Sequence, residues 1–257
     1  MTEVDLNSDV GESIGPWSMG QDEALVPLVT SVNVACGFHA GDPLVMARTV
    51  ELAKRHGLAV GAHPGYPDLL GFGRRDLAMA ADELEAAVLY QVAALAGFCR
   101  AAGTELRHVK PHGALYNRAA RDMSVARPIA RAVRAFSREL VLVGLSGSML
   151  LEAGRAEGSS VAAEAFADRS YEPDATLRSR RLAGSVVDDP AGAAEQALGI
   201  VTRGEVRAHD GTTVSVRADT LCIHGDTPGA AVVAQAVRRA LVSAGVAVRA
   251  LSAAGPQ

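Results

Sequence analysis

Charged and imidazole side chains recur in this sequence directly after short apolar segments. Four histidines follow four different segments of this kind, and a lysine and two carboxylates occupy similar places. The candidate residues are Asp9, His39, His63, Lys110, His112, Glu164 and His224. Carboxylates and imidazoles together can transfer protons or hold a metal ion, and a lysine among them can bind an anion. We therefore take these seven as candidate catalytic residues, with the histidines as acid–base groups or metal ligands.

Two interpretations remain open for most of these residues. Asp9 and Glu164 are candidate bases, and Asp9 ranks first because it lies at the end of the first apolar segment. Lys110 could bind a substrate carboxylate or a developing oxyanion, or it could form a structural ion pair with Asp9 or Glu164. A lone histidine is usually a structural hydrogen bonder. Four that each follow a different segment are more simply explained by one shared site.

Some neighbouring residues have simpler roles. Asp42 and Thr227 occupy positions typical of helix N-caps. Asp226 adjoins His224, and a hydrogen bond that orients this histidine is as good an explanation as direct chemistry. We expect Cys36 and Cys222 to pack as small apolar side chains.

Seven strand-like segments must position the candidate residues. They begin at residues 4, 31, 58, 106, 140, 161 and 219, and at least six carry a polar side chain at or just past the carboxyl end. Strands that alternate with helices form parallel sheets, and polar groups that converge from many strands favour a closed barrel over an open sheet. We expect residues 1–257 to form a single α/β domain, an irregular seven-stranded (β/α) barrel.

Two segments depart from this alternation. Residues 173–187 are polar and basic without a clear period, which is typical of a long functional loop or lid. Residues 205–217 alternate around Asp210-Gly211, which predicts a β-hairpin. We also expect a helix that starts near Asp82 and ends before Gly103.

Composition limits the partners and the compartment. The 257 residues, of which 49% are hydrophobic, suit one barrel, and the interspersed charges sum to -4. We expect neither nucleic acid nor a membrane as partner, because no basic patch and no bilayer-spanning apolar stretch is evident. Three cysteines without paired spacing and a start without a signal-peptide pattern predict a cytoplasmic protein.

Six motifs, taken together and in order, resemble the LamB/YcsF family, which is the family of the 5-oxoprolinase A subunits. They are Asn-Ser-Asp-Val-Gly-Glu at 7–12, Asn-Val-Ala-Cys-Gly-Phe-His-Ala-Gly-Asp at 33–42, Gly-Ala-His-Pro-Gly-Tyr-Pro-Asp at 61–68, Val-Lys-Pro-His-Gly-Ala-Leu-Tyr at 109–116, Glu-Ala-Phe-Ala-Asp-Arg at 164–169 and His-Gly-Asp at 224–226. The motifs are long and span most of the chain.

The resemblance implies a seven-stranded barrel similar to the glycoside hydrolase and polysaccharide deacetylase type. It also implies ATP-dependent opening of 5-oxoproline to L-glutamate together with two partner subunits. The sequence has no Gly-x-x-x-x-Gly-Lys-Ser/Thr segment, so ATP is expected as co-substrate from the resemblance, and phosphates could meet Lys110, Arg169 or the cluster at 178–181. Two alternatives stay open, a metal-dependent deacetylase-like hydrolase and a non-catalytic substrate-binding subunit.

Overall fold

A closed barrel of parallel strands forms the centre of the protein. A computed structural model of the chain describes residues 2–225 and 229–251. Within those ranges the barrel strands are β1 (Glu3–Val10), β2 (Ser31–Ala35), β3 (Ala59–His63), β4 (Leu106–Val109), β5 (Val141–Leu145), β6 (Ser160–Phe166) and β9 (Thr220–Cys222). Each pairs in parallel with the next, and β9 closes the barrel on β1. The predicted seven-stranded (β/α) barrel is confirmed. The first strand is longer than expected, so Asp9 lies inside it rather than at its end.

Helices cover the outside of the barrel. They are α1 (Asp22–Leu25), α2 (Pro43–Arg55), α3 (Ala81–Ala102), α4 (Gly113–Ala119), α5 (Met123–Phe136), α6 (Met149–Ala156), α7 (Pro190–Leu198) and α8 (Ala230–Ser243). Asp42 caps α2 as predicted, since its side chain accepts hydrogen bonds from the backbone N–H groups of Leu44 and Val45. The predicted helix before Gly103 is present as α3. It begins one residue before Asp82, at Ala81, and Glu83 accepts a hydrogen bond from the free N–H group of Ala80.

Helix α3 contradicts the expectation that the chain has no apolar stretch long enough to span a bilayer. By length and composition it could cross a membrane. In the barrel it packs against α2, α5, β3 and β4, and its buried side chains include Leu84, Val88 and Leu95. It is a helix of the outer layer whose apolar face belongs to the core.

Smaller elements complete the fold. The predicted hairpin is confirmed, with β7 (Glu205–Arg207) and β8 (Thr213–Ser215) antiparallel, and β10 (Ala247–Val248) pairs with the start of β1. The segment 173–187 is irregular, and two isolated backbone bridges join Leu177 to Tyr171 and Val186 to Arg169. The predictions for Asp226 and Thr227 lie outside the described residues.

Candidate active site

Alternate residues of β1 point into the barrel, because the side chains of a strand alternate between its two faces. Asp5, Asn7 and Asp9 share the inward face and are all buried, whereas Leu6 and Val10 belong to the hydrophobic core. The barrel therefore has a polar interior, and the apolar core lies largely between the strands and the helices.

Lys110 follows β4 and is the positive charge at the centre of this interior. Its Nζ atom lies 2.9 Å from Asp9 Oδ1, 2.9 Å from Glu164 Oε1, 3.1 Å from Cys222 Sγ and 3.3 Å from Asn7 Oδ1. Burial disfavours the ammonium ion, but the two carboxylates outweigh it and hold the pKa of Lys110 well above its usual value. Lys110 therefore pairs with both predicted partners, Asp9 and Glu164. Its N–H groups face polar atoms of the barrel interior.

Asp9 is held from three sides. Oδ1 accepts hydrogen bonds from Asn33 Nδ2 at 2.8 Å and from Lys110 Nζ, and Oδ2 lies 3.3 Å from His63 Nε2. Burial alone would raise the pKa of Asp9, but the neighbouring His63 and Lys110 outweigh it and hold this pKa well below its ordinary value. Asp9 is therefore a fixed, ionised carboxylate at neutral pH.

A neutral histidine orients the asparagine that holds Asp9. Nε2 of His108 lies 2.8 Å from Asn33 Oδ1. Burial, and then the charge of Lys110, lower the pKa of His108 to about 3, so its ring is neutral and donates from Nε2. Gly61 of β3 makes room for this ring, since a Cβ atom there would overlap it.

Gly61→Ala is expected to destabilise the protein by about 1–3 kcal/mol, because the added methyl must displace the His108 ring in a packed interior. This corresponds to a fall in Tm of roughly 2–12 °C by thermal unfolding. Gly97→Ala in α3 is the matched control, since no atom lies within 4 Å of the added methyl and helix propensity favours alanine. Equal Tm values for the two variants would show that the β3–β4 contact is not tight.

Three histidines form a compact group with Glu12. Nε2 of His39 lies 3.3 Å from Glu12 Oε1, Nδ1 of His112 lies 3.5 Å from the same oxygen, and His63 Nε2 lies 3.0 Å from His112 Nδ1. The His39 and His112 rings stack with centroids 3.7 Å apart. Burial, followed by the neighbouring histidines, holds the pKa of both His39 and His112 well below the usual value. Both rings are therefore neutral.

His224 lies apart from that group and pairs with Asp168. The carboxylate accepts the His224 backbone N–H at 2.7 Å and lies 3.1 Å from Nδ1 of the ring. Burial would raise the pKa of Asp168, but His224 outweighs it and lowers this pKa. Phe166 stacks on the ring with centroids 5.5 Å apart. The position of His224 is thus fixed by a residue that the sequence predictions did not include.

A cavity of about 710 Å³ opens over these groups, and Asp9, His63, Lys110, His112 and His224 line it. The predicted residues His39 and Glu164 lie behind this surface, both fully buried. The cavity is at the carboxyl ends of the strands, where a (β/α) barrel collects side chains from several loops.

The sides of the cavity are strongly basic. In the described chain, eight arginines line it. Four follow β3 and β4, namely Arg74, Arg75, Arg118 and Arg121, and four follow β6, namely Arg169, Arg178, Arg180 and Arg181. The acidic side chains of the lining are Asp9, Glu12 and Asp76. Basic residues that are interspersed in the sequence therefore converge around a floor that carries carboxylates.

The candidates taken from the sequence omit two residues that contact this site. Glu12 stands in the motif at 7–12 but was not a candidate, although it contacts His39 and His112. Cys222 packs in the hydrophobic core as expected, but its sulfur also lies 3.1 Å from Lys110 Nζ. Its place two residues after the inward-facing Thr220 is the signal that could have identified it.

Two sets of donor atoms could hold a metal ion. The first consists of Glu12, His39, His63 and His112, and the second of Asp9, Cys222 and His224; within each set, the donor atoms lie no more than 4.8 Å apart. Nitrogen donors with a carboxylate suit a transition metal better than Mg²⁺ or Ca²⁺.

Comparisons with known proteins cover nearly the whole chain. The sequence profile of the LamB/YcsF family matches residues 4–255. The A subunit of the 5-oxoprolinase of Methylococcus capsulatus is 58% identical over 248 residues, which are 96% of this chain and 95% of that protein. The protein of the same name from Chloroflexus aurantiacus is 57% identical over 250 residues, covering 97% and 99%. A lactam utilization protein from Thermus thermophilus has a solved structure with a TM-score of 0.92 and 53% identity, covering 97% of this chain and 100% of that one.

Proposed function

This chain belongs to the LamB/YcsF family, and we propose that it is the A subunit of a multi-subunit 5-oxoprolinase that opens 5-oxoproline to L-glutamate with hydrolysis of ATP. The observation that carries the proposal is the Asp9 carboxylate, held by Asn33, Lys110 and His63 on the floor of an arginine-lined cavity. The names of the relatives give the substrate, and this floor gives a place where a lactam could be opened.

The cavity suits the substrate in size and charge. About 710 Å³ lies in the range of small-molecule sites. At neutral pH 5-oxoproline is an anion, with one carboxylate on a five-membered lactam ring. Guanidinium groups bind carboxylates and phosphates through paired hydrogen bonds, so the arginine sides favour this substrate and any phosphorylated form of it. We assign the carboxylate of 5-oxoproline to the arginine-lined sides of the cavity and its lactam group to the floor.

In the proposed reaction, Asp9 acts through its negative charge rather than as a proton acceptor. A carboxylate with so low a pKa is a weak base, but it can orient a water molecule and stabilise the positive charge that develops beside it as that water loses a proton. Lys110 and His63 keep Asp9 ionised and in place. Since the N–H groups of Lys110 point to the floor, Lys110 acts here by positioning Asp9 and Glu164.

ATP is needed because an unstrained lactam is a poor electrophile. In the proposed reaction the amide oxygen attacks the γ-phosphorus of ATP and ADP leaves. Water adds to the activated carbon, the C–N bond breaks as the ring nitrogen takes a proton, and a second water releases phosphate and glutamate. Arg169 and the arginines at 178–181 would meet the phosphoryl group. The two partner subunits would carry out the phosphoryl transfer.

Such a complex would work in the cytoplasm, where ATP is available. All three cysteines, Cys36, Cys99 and Cys222, are free thiols, which is consistent with a reducing compartment.

The test is glutamate release from 5-oxoproline by the purified chain, alone and with the two partner subunits, each with and without ATP. We expect turnover only with the partners and ATP together. Metal-dependent hydrolysis of an N-acetylated sugar by the single chain without ATP would instead support the deacetylase-like alternative. Turnover of 5-oxoproline by the single chain without ATP would overturn the need for partners.

A further inference from the structure

Two ring nitrogens on the cavity floor face each other at short distance. Nδ1 of His63 lies 2.8 Å from the Lys110 carbonyl oxygen, and Nε2 of His112 lies 2.8 Å from the Phe72 carbonyl oxygen. A carbonyl oxygen only accepts, so these two nitrogens each carry a hydrogen. The remaining nitrogens, His63 Nε2 and His112 Nδ1, are 3.0 Å apart, and each has only a lone pair to offer unless a further cation is bound. Such a contact requires a cation between them, either a proton or a metal ion.

The surroundings of this pair are those of metal-binding histidines. Metal ligands commonly donate the other ring N–H to a backbone carbonyl, as His63 and His112 do. A carboxylate flanks each ring, with Glu12 Oε1 at 3.5 Å from His112 Nδ1 and Asp9 Oδ2 at 3.3 Å from His63 Nε2. Metal–ligand bonds of about 2.1 Å in a tetrahedron separate neighbouring donors by about 3.4 Å. The separations of 3.0 Å between His63 and His112 and of 3.5 Å between His112 and Glu12 agree with this spacing.

We propose that His63, His112 and Glu12 bind a divalent transition-metal ion on the cavity floor, with Asp9 beside it. Two imidazoles and a carboxylate suit Zn²⁺, Fe²⁺, Co²⁺ or Ni²⁺. All four side chains line the cavity, so the ion faces the space in which a substrate would lie.

His39 belongs to this site as a positioning residue. Its ring is parallel to that of His112 within 4° and 3.7 Å away. A ring nitrogen binds a metal in the plane of its ring, and two stacked parallel rings cannot both do so. The Nε2–H of His39 instead points at Glu12 Oε1, 3.3 Å away, and orients the carboxylate.

A bound ion would polarise a carbonyl oxygen or lower the pKa of a bound water. Its use in lactam opening rests on the proposed function, whereas the binding of the ion does not. Binding is therefore the property to measure.

The experiment is titration of the full chain, stripped with a chelator, with Zn²⁺ and with Co²⁺. We expect about one ion per chain by calorimetry, a visible Co²⁺ spectrum typical of nitrogen and oxygen ligands, and a Tm raised by about 5 °C or more at a hundredfold excess over Kd. His112→Ala should abolish this binding. Glu12→Gln, which keeps the shape of the side chain, should weaken metal binding by at least about tenfold. If His112→Ala does not fold, Glu12→Gln is the variant that tests the proposal.

Two controls locate the ion. His209→Ala removes a histidine that pairs with Glu172 away from the barrel floor, and Cys222→Ser alters the other candidate metal set. Both should keep the binding. No binding by the unaltered chain would overturn the proposal and leave a shared proton between the rings. Binding that survives His112→Ala and Glu12→Gln but is lost in Cys222→Ser would overturn it by placing the ion at the second set.

Discussion

We expect Asp9→Asn to lower kcat for ATP-dependent 5-oxoproline cleavage by the assembled complex about 10²-fold or more. The asparagine can keep the contacts to Asn33 and Lys110, but it removes the charge that faces the cavity. A 10²-fold loss is about 2.7 kcal/mol of transition-state stabilisation. The measurement is kcat at saturating substrate, with thermal unfolding of the same preparation.

Asp5→Asn is the control for this prediction. Asp5 shares the inward face of β1 and is buried, but its carboxylate accepts hydrogen bonds from the hydroxyls of Thr30, Ser31 and Thr220. We expect its kcat to stay within about twofold of the unaltered complex. If Asp9→Asn also stays within about twofold while Tm falls, Asp9 is a structural residue, and the catalytic carboxylate or base is Glu164 or a histidine.

Lys110→Met should be the most destabilising single change in the barrel. It leaves Asp9 and Glu164 buried without the cation that neutralises them. Breaking a buried ion pair in this way typically costs about 3–5 kcal/mol, which corresponds to a fall in Tm of about 6–20 °C for a chain of this size. The measurement is thermal unfolding at neutral pH.

The pH dependence of the Lys110→Met defect separates lost charge from lost packing. Without Lys110 the two buried carboxylates should have raised pKa values, so the folded state would bind protons at a higher pH than the unfolded state. The deficit should therefore shrink as the pH falls from 7 towards 5. Lys54→Met is the matched control, since Lys54 is the other lysine of the chain and its exposed side chain donates to the Ala102 carbonyl. A Lys110→Met variant as stable as Lys54→Met would contradict the buried ion pair.

The barrel was readable from the sequence because its two signals are local. Strand-like segments alternate with helical patterns, and polar residues end the segments. Convergence of those residues follows from parallel strands in one closed barrel. The end of β1 was not readable in this way, because β1 runs past Asp9 to Val10, where its pairing with β2 ends.

The contacts within the site were not readable, since they depend on the paths of the loops. No sequence pattern indicates that His224 pairs with Asp168 while His63 and His112 meet each other. Nor could a pattern place His39 behind His112, because that depends on the turn between β2 and α2. Glu12 reaches the histidines from the loop after β1, where neither a helical nor a strand period applies.

The most direct test of the proposed site is a structure of the assembled complex with 5-oxoproline and a non-hydrolysable ATP analogue. We predict that the ring lies in the arginine-lined cavity, with its amide carbon about 3–4 Å from a water held by Asp9 and its carboxylate towards the arginines that follow β3 and β4. A ring bound in one of the partner proteins would contradict this, as would one in the cavity near the amino ends of β4 and β5, which is lined by Arg100, Phe136 and Arg138.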